Sequence, residues 1–360
     1  MIVALNFIAL PDTHAAGAYR YIANILQMLQ YYDLKDTQFI IYKQQQIPDH
    51  FFAIPSNINV EYIDVPTLGH GIKRIIFEQT LFYRYLKKCD VFYSYCTSLP
   101  LLVHARKVFT LHDVYCFSDS HRHGLLKRIY LQWTTRAYVS CMDHILTVST
   151  FSKQEIQHYL HVPDEKISMT YNFVLPSNTN NSVKSTNENV PYFLYVGSIL
   201  PHKNITGMID GFIAFNKENK YELRIVGQCQ DEAIASYIKN KPNIVYLGFK
   251  SDADVNDLYR NCIGVVLLSF CEGFGIPPIE GFQYGKPALV ANSASLPEVV
   301  GDAGIKVNPY NIEEIASGYQ QLIDRNKFLK IHIQDQLEQF DPYTSCETFM
   351  NVLGIKYQRV

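Results

Sequence analysis

Length, composition and charge narrow the classes of protein to which this chain can belong. It has 360 residues, 48% of them hydrophobic and 18% charged, which is enough apolar material for two domains of ordinary size. The net charge of −2 provides no general field that would attract nucleic acid. The eight cysteines form no Cys-x-x-Cys pair and no zinc-type spacing with histidine, so we expect free thiols in a reducing compartment.

The first ten residues are apolar but lack a basic leader and end at Pro11-Asp12, which indicates a buried strand rather than a signal peptide. No apolar run approaches the ~20 residues needed to span a bilayer. We therefore expect a cytoplasmic protein, either soluble or peripheral on the inner face of the cell membrane.

Strands and helices alternate through residues 1–175, the predicted first domain. The apolar pattern predicts helices at about 18–32, 73–88 and 150–160, the last one capped by Ser149 or Thr150. It predicts strands near 2–9, 38–43, 58–64, 90–95, 107–111, 144–148 and 167–171. This alternation favours an α/β domain built on a parallel sheet.

Residues 121–138 combine basic and large apolar side chains. No acidic residue lies between Asp119 and Asp143. An amphipathic helix of this kind is typical of a peripheral contact with an anionic membrane, but a solvated helix that packs through its apolar face has the same sequence pattern. Both interpretations remain open. The residues concerned are Arg122, Leu125, Leu126, Lys127, Arg128, Ile129, Tyr130, Trp133 and Arg136.

Residues 176–190 are almost wholly polar and predict a linker to a second domain, 191–341. The pattern predicts helices at about 204–215, 231–238, 253–260, 278–284, 312–325 and 327–338, and a last helix after Pro342. It predicts strands near 192–196, 222–227, 243–247, 264–270, 288–291 and 304–307. Both halves therefore predict doubly wound parallel sheets.

The stretch Cys271–Pro287 concentrates residues suited to ligand binding. Gly273 and Gly275 allow a tight turn with exposed amides, and Pro277-Pro278 suits the start of a helix. Glu272 and Glu280 are eight positions apart, roughly 12 Å along a helix axis. A paired-carboxylate hydrolase needs ~5–9.5 Å. We interpret the two glutamates as separate acceptors for one long, hydroxyl-rich ligand whose anionic part faces the helix N-terminus, such as a nucleotide-diphosphate sugar.

These residues resemble a known family. Glu272-Gly-Phe-Gly-Ile-Pro-Pro-Ile-Glu280, with Gly285-Lys-Pro287 and Leu296-Pro-Glu-Val-Val-Gly-Asp-Ala-Gly304, is similar to the donor-site signature of the retaining GT-B glycosyltransferases of family GT4. Glu78-Gln79 and Thr110-Leu-His-Asp113 resemble the N-terminal half of that family. The resemblance implies two Rossmann-like domains that face a central cleft, and a helix at about 342–360 that packs back on the first domain.

The resemblance also implies roles for individual residues. Glu272 would contact the donor sugar, Glu280 the ribose and Lys203 the diphosphate, whereas the backbone at Gly248-Phe249 would meet the base. We expect Glu272 to face solvent. Glu272, Lys203 and His112 are the implied catalytic residues, although a histidine tied to a turn carbonyl remains an alternative for His112. The acceptor side would include Gly17, His112 and Asp113. The full donor set is Gly197, Ser198, His202, Lys203, Gly248, Phe249, Glu272, Gly273, Phe274, Gly275, Ile276 and Glu280.

Two positions depart from the family pattern, because Ser198 and His202 stand where many members have arginine. Fewer permanent cations would leave Lys203 and the helix termini to stabilise the leaving group. No metal cofactor is implied, and Asp252-Ala-Asp254 at a helix start is interpreted as a cap. We expect front-face transfer with retention.

The expected reaction moves a hexose from a nucleotide sugar, GDP-mannose as first hypothesis, to a glycan or lipid-linked acceptor in bacterial polysaccharide assembly. A nucleotide-sugar epimerase and a catalytically silent binding subunit are the alternatives.

Overall fold

The computed structural model describes residues 1–10, 17–69, 71–96, 99–118, 124–175, 190–229, 231–239 and 241–360. The chain divides into two compact units, Met1–Phe173 with Asp341–Val360, and Val174–Phe340. Most of the predicted linker, residues 176–189, lies outside the described part. So do residues 121–123 of the basic stretch and residues 11–16 before the first helix.

Parallel strands form the main sheet of the first unit, in the order β4-β3-β1-β5-β6-β7-β8. The inner strands are buried because helices cover parallel sheets on both faces, whereas the edge strand β4 is largely half-buried. The strands of this half are β1 (Ile2–Asn6), β2 (Tyr32–Asp33), β3 (Gln38–Gln44), β4 (Asn59–Val65), β5 (Val91–Ser94), β6 (Arg106–Thr110), β7 (His144–Thr147) and β8 (Ile167–Met169).

The helices of the first unit follow its strands. Ser149 caps one of them, because its side chain accepts a hydrogen bond from the Ser152 N–H at 3.0 Å. The α-helices are α1 (Gly17–Met28), α2 (Ile72–Gln79), α3 (Tyr115–Ser118), α4 (Leu125–Ser140) and α5 (Thr150–Leu160). Short 3₁₀ helices lie at Leu29–Tyr31, Asp49–Phe52, Leu81–Arg84 and Asp164–Lys166.

The second unit contains another parallel sheet, in the order β11-β10-β9-β12-β13-β14. From β9 the chain adds β10 and β11 on one side and then crosses back to place β12 on the other side. The carboxyl ends of β9 and β12 therefore flank a topological switch point, where open α/β sheets bind their ligands. The strands are β9 (Tyr192–Val196), β10 (Glu222–Val226), β11 (Ile244–Gly248), β12 (Val265–Leu267), β13 (Ala288–Ala291) and β14 (Gly304–Val307).

Helices connect these strands. The α-helices are α6 (Ile205–Phe215), α7 (Glu232–Lys239), α8 (Asp252–Asn261), α9 (Ile276–Gln283), α10 (Leu296–Val300), α11 (Ile312–Asp324), α12 (Asn326–Ile331) and α13 (Ile333–Glu338), with 3₁₀ helices at Pro201–Lys203 and Gly301–Ala303. The predicted pair of doubly wound parallel sheets is confirmed. None of the helices within the described ranges is long and apolar enough to cross a membrane.

The C-terminal segment belongs to the first unit. Helix α14 (Pro342–Leu353) packs there, with the Phe349 ring edge-on to Tyr93 at 5.0 Å. The prediction that this helix continues to about residue 360 is wrong. It ends at Gly354, whose φ of 75° is left-handed. Strand β15 (Gln358–Arg359) then pairs antiparallel with β2.

Other boundaries differ from the predictions as well: the strand predicted near 264–270 is Val265–Leu267, and the helix predicted over 327–338 is interrupted at His332. The helix predicted over 73–88 ends at Gln79, because Thr80 leaves helical geometry and its hydroxyl bonds back to the Ile76 carbonyl. The cap predicted at Asp252-Ala-Asp254 is instead Ser251, whose side chain accepts from the Asp254 N–H. The two aspartates lie in the first turn of α8.

Candidate active site

A lysine and a glutamate meet at the switch point of the second unit. Lys203 ends the 3₁₀ helix that follows β9, and Glu272 lies in the loop that follows β12. The Lys203 Nζ is 2.5 Å from the Glu272 Oε1, and the Ser269 hydroxyl donates to the same oxygen at 2.7 Å. Neither bond uses Oε2. Two predicted site residues from distant parts of the sequence thus form one ion pair.

This pair is largely shielded from water. The Lys203 and Glu272 side chains are 15% and 14% exposed. The expectation of a solvent-facing Glu272 is therefore wrong, because Lys203 and Ser269 hold the carboxylate against the sheet edge. Removing one partner of such a pair leaves the other charge poorly solvated, at a cost of about 3–5 kcal/mol for a fully buried pair.

Ser295 holds the glycine loop, residues Glu272–Gly275, in place. Ser295 is fully buried, and its hydroxyl lies 2.7 Å from the Glu272 carbonyl oxygen and 2.9 Å from that of Phe274, so its single proton is shared between the two acceptors. Gly275, with φ of 93°, approaches α10 so closely that a Cβ there would lie 2.5 Å from the Leu296 side chain. The loop is therefore a fixed element rather than an open turn.

A backbone bond joins the two loops of the site. The Phe270 N–H donates to the His202 carbonyl oxygen at 2.9 Å, and the Phe270 carbonyl accepts from the Ser293 hydroxyl. His202 and Lys203 are neighbours in one 3₁₀ helix. The bond therefore fixes the segment after β9 against the segment after β12, and with it the position of the Lys203 backbone.

Helix α9 begins beside Glu272 and carries Glu280. It starts at Ile276, directly after Gly275, with Pro277 and Pro278 in its first turn. The positive end of the helix dipole therefore lies next to the glycine loop. Glu280 accepts a hydrogen bond from the Tyr259 hydroxyl at 2.6 Å. Tyr259 is buried in α8 and stacks on Tyr284 at 5.9 Å. The two glutamates thus have different partners and belong to different elements.

Three glycines line the ends of β9, β10 and β11. Gly197 and Gly227 have φ of 152° and 145°, and a Cβ on Gly227 would lie 1.8 Å from the Gly197 carbonyl oxygen. The Gly227 N–H donates to the Gly248 carbonyl at 2.9 Å. Side chains are thereby excluded from this edge. Ser198 and Phe249 follow the glycines and are exposed, Phe249 to 70%.

In the first unit, His112 lies after β6 and bonds to the segment after β5. Its Nε2 is 3.0 Å from the Tyr95 carbonyl oxygen, which can only accept, so Nε2 carries the proton and Nδ1 is the acceptor in the neutral ring. Burial lowers the pKa of His112 below its ordinary value. His112 is therefore a histidine tied to a backbone carbonyl.

Of the other two residues predicted for the acceptor side, Asp113 adjoins His112, and Gly17 begins helix α1, which contacts His112 through Tyr21. Tyr21, one turn after Gly17 at the start of α1, packs its ring edge-on to the imidazole at 5.4 Å. Asp113 follows His112 directly, and its carboxylate accepts from the Tyr115 N–H at 3.2 Å. The three residues therefore share the carboxyl edge of the first sheet.

Several supporting residues were missed from the sequence. Ser269 and Ser295 hold the Glu272 loop, Tyr259 holds Glu280, and Gly227 faces Gly197. Gly227 could have been predicted, because Val226-Gly227 repeats the Val196-Gly197 pair at the end of strand 192–196. The others depend on contacts between distant segments. Within the described residues no group of three or more His, Cys, Asp and Glu side chains is arranged to hold a metal ion.

Comparisons with known proteins identify the family of this chain. Residues 177–336 match the family described as Glycosyl transferases group 1, and residues 38–177 match Glycosyltransferase Family 4. The chain belongs to the family 4 glycosyltransferases. The predicted glycosyltransferase activity is thereby confirmed, and the Lys203–Glu272 pair lies within the group 1 region.

Among relatives, this glycosyltransferase is 29% identical over 263 residues to O-antigen chain mannosyltransferase B of Escherichia coli, covering 68% of each chain. It is also 29% identical over 267 residues to O-antigen chain mannosyltransferase RfbU of Salmonella typhimurium, covering 71% of this chain and 70% of that protein.

Solved structures confirm the GT-B architecture. Anabaena Alr3699/HepE, in complex with UDP and glucose, aligns with a TM-score of 0.73 at 16% identity over 98% of this chain and 99% of that one. WaaG, a glycosyltransferase involved in lipopolysaccharide biosynthesis, aligns with a TM-score of 0.72 at 16% identity over the same shares.

Proposed function

We propose that this glycosyltransferase transfers mannose from GDP-mannose to a glycan or lipid-linked glycan in bacterial surface polysaccharide assembly, with retention of configuration and without a metal cofactor. The observation that carries the proposal is the Lys203–Glu272 pair at the β9/β12 switch point. The relatives named as O-antigen mannosyltransferases support the choice of sugar and pathway.

The donor would lie along the carboxyl edge of the second sheet. Lys203 uses one of its three donors on Glu272, so two can reach diphosphate oxygens. Oε2 of Glu272 would accept from sugar hydroxyls, and Glu280 from the ribose. The base would extend toward Gly248 and Phe249, and Gly197 with Gly227 would let the ligand approach the backbone.

Neither glutamate is well suited to act as a covalent nucleophile. Glu272 is engaged by Lys203 and Ser269, and Glu280 by Tyr259. We therefore propose front-face substitution. The acceptor oxygen bonds to the anomeric carbon as the bond to the diphosphate breaks, and the acceptor proton passes to the departing diphosphate oxygen. Lys203 and the α9 N-terminus stabilise the charge on that leaving group, and His112 orients the reacting sugar.

A panel assay tests the proposal. Purified protein is incubated with GDP-, UDP- and ADP-sugars and a lipid-linked glycan extract, and products are followed by NMR. Transfer from GDP-mannose with the α-anomer preserved is the expected result. A product of inverted configuration would contradict retention. Transfer only from a UDP- or ADP-sugar would contradict GDP-mannose as the donor, and dependence on a divalent ion would contradict transfer without a metal.

The same NMR assay separates the alternatives. Conversion of the donor sugar without any acceptor would indicate an epimerase. Tight donor binding by calorimetry with neither transfer nor hydrolysis would indicate a silent binding subunit.

A further inference from the structure

The large apolar side chains of α4 face solvent. Leu125, Leu126 and Ile129 are 64%, 84% and 53% exposed, and Tyr130 and Trp133 are 41% and 69% exposed. At 100° per residue, these five positions fall within an arc of roughly 140° around the helix. They form one continuous face, which we call the α4 surface.

The opposite side of α4 holds the helix to the first unit. Thr135 and Tyr138 are its buried residues, and the Gln132 side chain donates to the Cys116 carbonyl at 2.6 Å. The interpretation in which this helix packs through its apolar face is therefore wrong. The helix packs through a more polar side, and the residues that the structure describes leave its apolar side uncovered.

Basic residues surround the α4 surface. Lys127, Arg128 and Arg136 lie in α4, which contains no acidic residue. Helix α2 continues the pattern, because its Ile72 and Ile76 are 73% and 57% exposed and Lys73 lies between them. Phe77 of α2 and Tyr138 of α4 both belong to the buried core cluster of the first unit. The local charge is positive although the whole chain is slightly acidic.

We propose that the α4 surface docks the first unit onto an anionic lipid bilayer, with Leu126, Ile129 and Trp133 in the interface and the cations at the headgroups. A second copy of this chain fits less well, because a symmetric contact would bring two sets of cations together. An anionic bilayer complements both the apolar side chains and the charge, and Trp and Tyr are favoured at its interface. This inference goes beyond the proposed function and does not depend on the donor.

Trp133 is the only tryptophan of the chain, so its fluorescence reports directly on the α4 surface. The intact protein is titrated with phosphatidylglycerol/phosphatidylcholine vesicles and with phosphatidylcholine vesicles, each with and without dibrominated acyl chains. We expect a blue shift and bromine quenching with the anionic vesicles, both weakened by salt. An unshifted, unquenched Trp133 on anionic vesicles would overturn the proposal.

Variants locate the contact. Leu126→Ser combined with Ile129→Ser keeps Trp133 as the probe and should lower vesicle partitioning about a hundredfold, at roughly tenfold for each side chain. Lys127→Gln should lower it about fivefold. The matched control replaces two exposed residues of the second unit, Phe328→Ser with Ile331→Ser, and should leave partitioning unchanged.

An equal loss of vesicle partitioning in the control, or no loss in the α4 variant, would place the contact elsewhere and overturn the proposal. A blue shift without vesicles that rises with protein concentration, together with a doubled mass by light scattering, would assign the α4 surface to a second copy instead. Donor binding, measured by calorimetry, should be the same in all variants, which separates this test from that of the proposed function.

Discussion

Six strands of the main sheet in the first unit follow the same order as the six strands of the second unit, but the two sheets carry different side chains where the order reverses. At the switch point of the second sheet, Lys203 pairs with Glu272. At that of the first sheet, Phe7 follows β1 and Tyr95 follows β5, and their rings stack at 5.3 Å. The same topology therefore presents a charged pair in one unit and an aromatic pair in the other.

This difference shows that the fold determines where a site lies and the side chains determine which ligand it binds. A cation beside a helix N-terminus is suited to a diphosphate. The stacked rings of the first unit are buried, and the carbonyl of Tyr95 holds the neutral His112 ring at the same sheet edge. The second unit is therefore expected to determine donor binding, and the first unit to affect transfer without affecting donor affinity.

The largest effect should come from Lys203→Ala. We expect kcat to fall about 10²- to 10³-fold, because removal of one preorganised oxyanion donor typically costs about 2.7–4 kcal/mol. The melting temperature should fall too, since Glu272 loses its partner. The measurement is steady-state transfer well below the melting temperature, with Lys220→Ala, an exposed lysine of the same unit, as control.

A double-mutant cycle sharpens this prediction. Glu272→Gln together with Lys203→Ala should destabilise the fold by less than the sum of the single changes, because neither charge is then left without its partner. Strict additivity in thermal unfolding would show that the pair does not couple.

Glu280→Gln should mainly raise the donor KM, with kcat nearly unchanged. A charge-assisted bond to the ribose is worth about 1.5–3 kcal/mol, which corresponds to a KM increase of roughly 10- to 150-fold. The amide oxygen can still accept from Tyr259, so the helix should remain in place. A kcat loss as large as that of Lys203→Ala would instead assign Glu280 to the chemical step.

Ser295→Ala tests whether the buried hydroxyl positions the donor loop. It removes the one hydroxyl proton that the Glu272 and Phe274 carbonyls share, a contribution of about 0.5–1.5 kcal/mol. We expect a lower melting temperature and a donor KM raised by several fold to tenfold. Ser317→Ala, on an exposed face of α11, is the control and should change neither. Unchanged donor KM with lowered stability would reduce Ser295 to a structural role.

His112 should give the smallest effect on catalysis. His112→Ala should lower kcat less than Lys203→Ala and leave the donor dissociation constant unchanged, because the ring belongs to the first unit.

Burial lowers the pKa of His112 in the folded state. The unfolded chain therefore binds the proton more readily, and stability is lost as pH falls below about 6.5. His112→Gln should weaken that acid-side loss, as measured by denaturant unfolding between pH 5 and 7. An unchanged pH profile would contradict the burial argument.

Local patterns were sufficient to predict much of the fold. Strands such as Tyr192–Val196 and Ala288–Ala291 were predicted to the residue, because short apolar runs between turn residues leave few alternatives. The final helix was predicted too long, since a single glycine at 354 decided its end.

The site was only partly predictable. The motif identified Glu272 and Lys203 separately, but their ion pair depends on the strand order, which places β9 beside β12. The roles of Ser295 and Tyr259 depend on contacts with segments about 20 residues away in sequence. The exposure of the α4 surface likewise could not be predicted from its sequence, because a helix that contacts a membrane and a helix that packs through its apolar face have the same hydrophobic periodicity.

The most direct measurement is a crystal structure of the protein with the nucleoside diphosphate that raises its melting temperature most. We predict diphosphate oxygens within hydrogen-bond distance of the Lys203 Nζ and at the N-terminus of α9, with the ribose on Glu280 and GDP as the nucleotide. A diphosphate bound away from the β9/β12 switch point, with the Lys203–Glu272 pair untouched, would contradict the assignment of the second unit as the donor site.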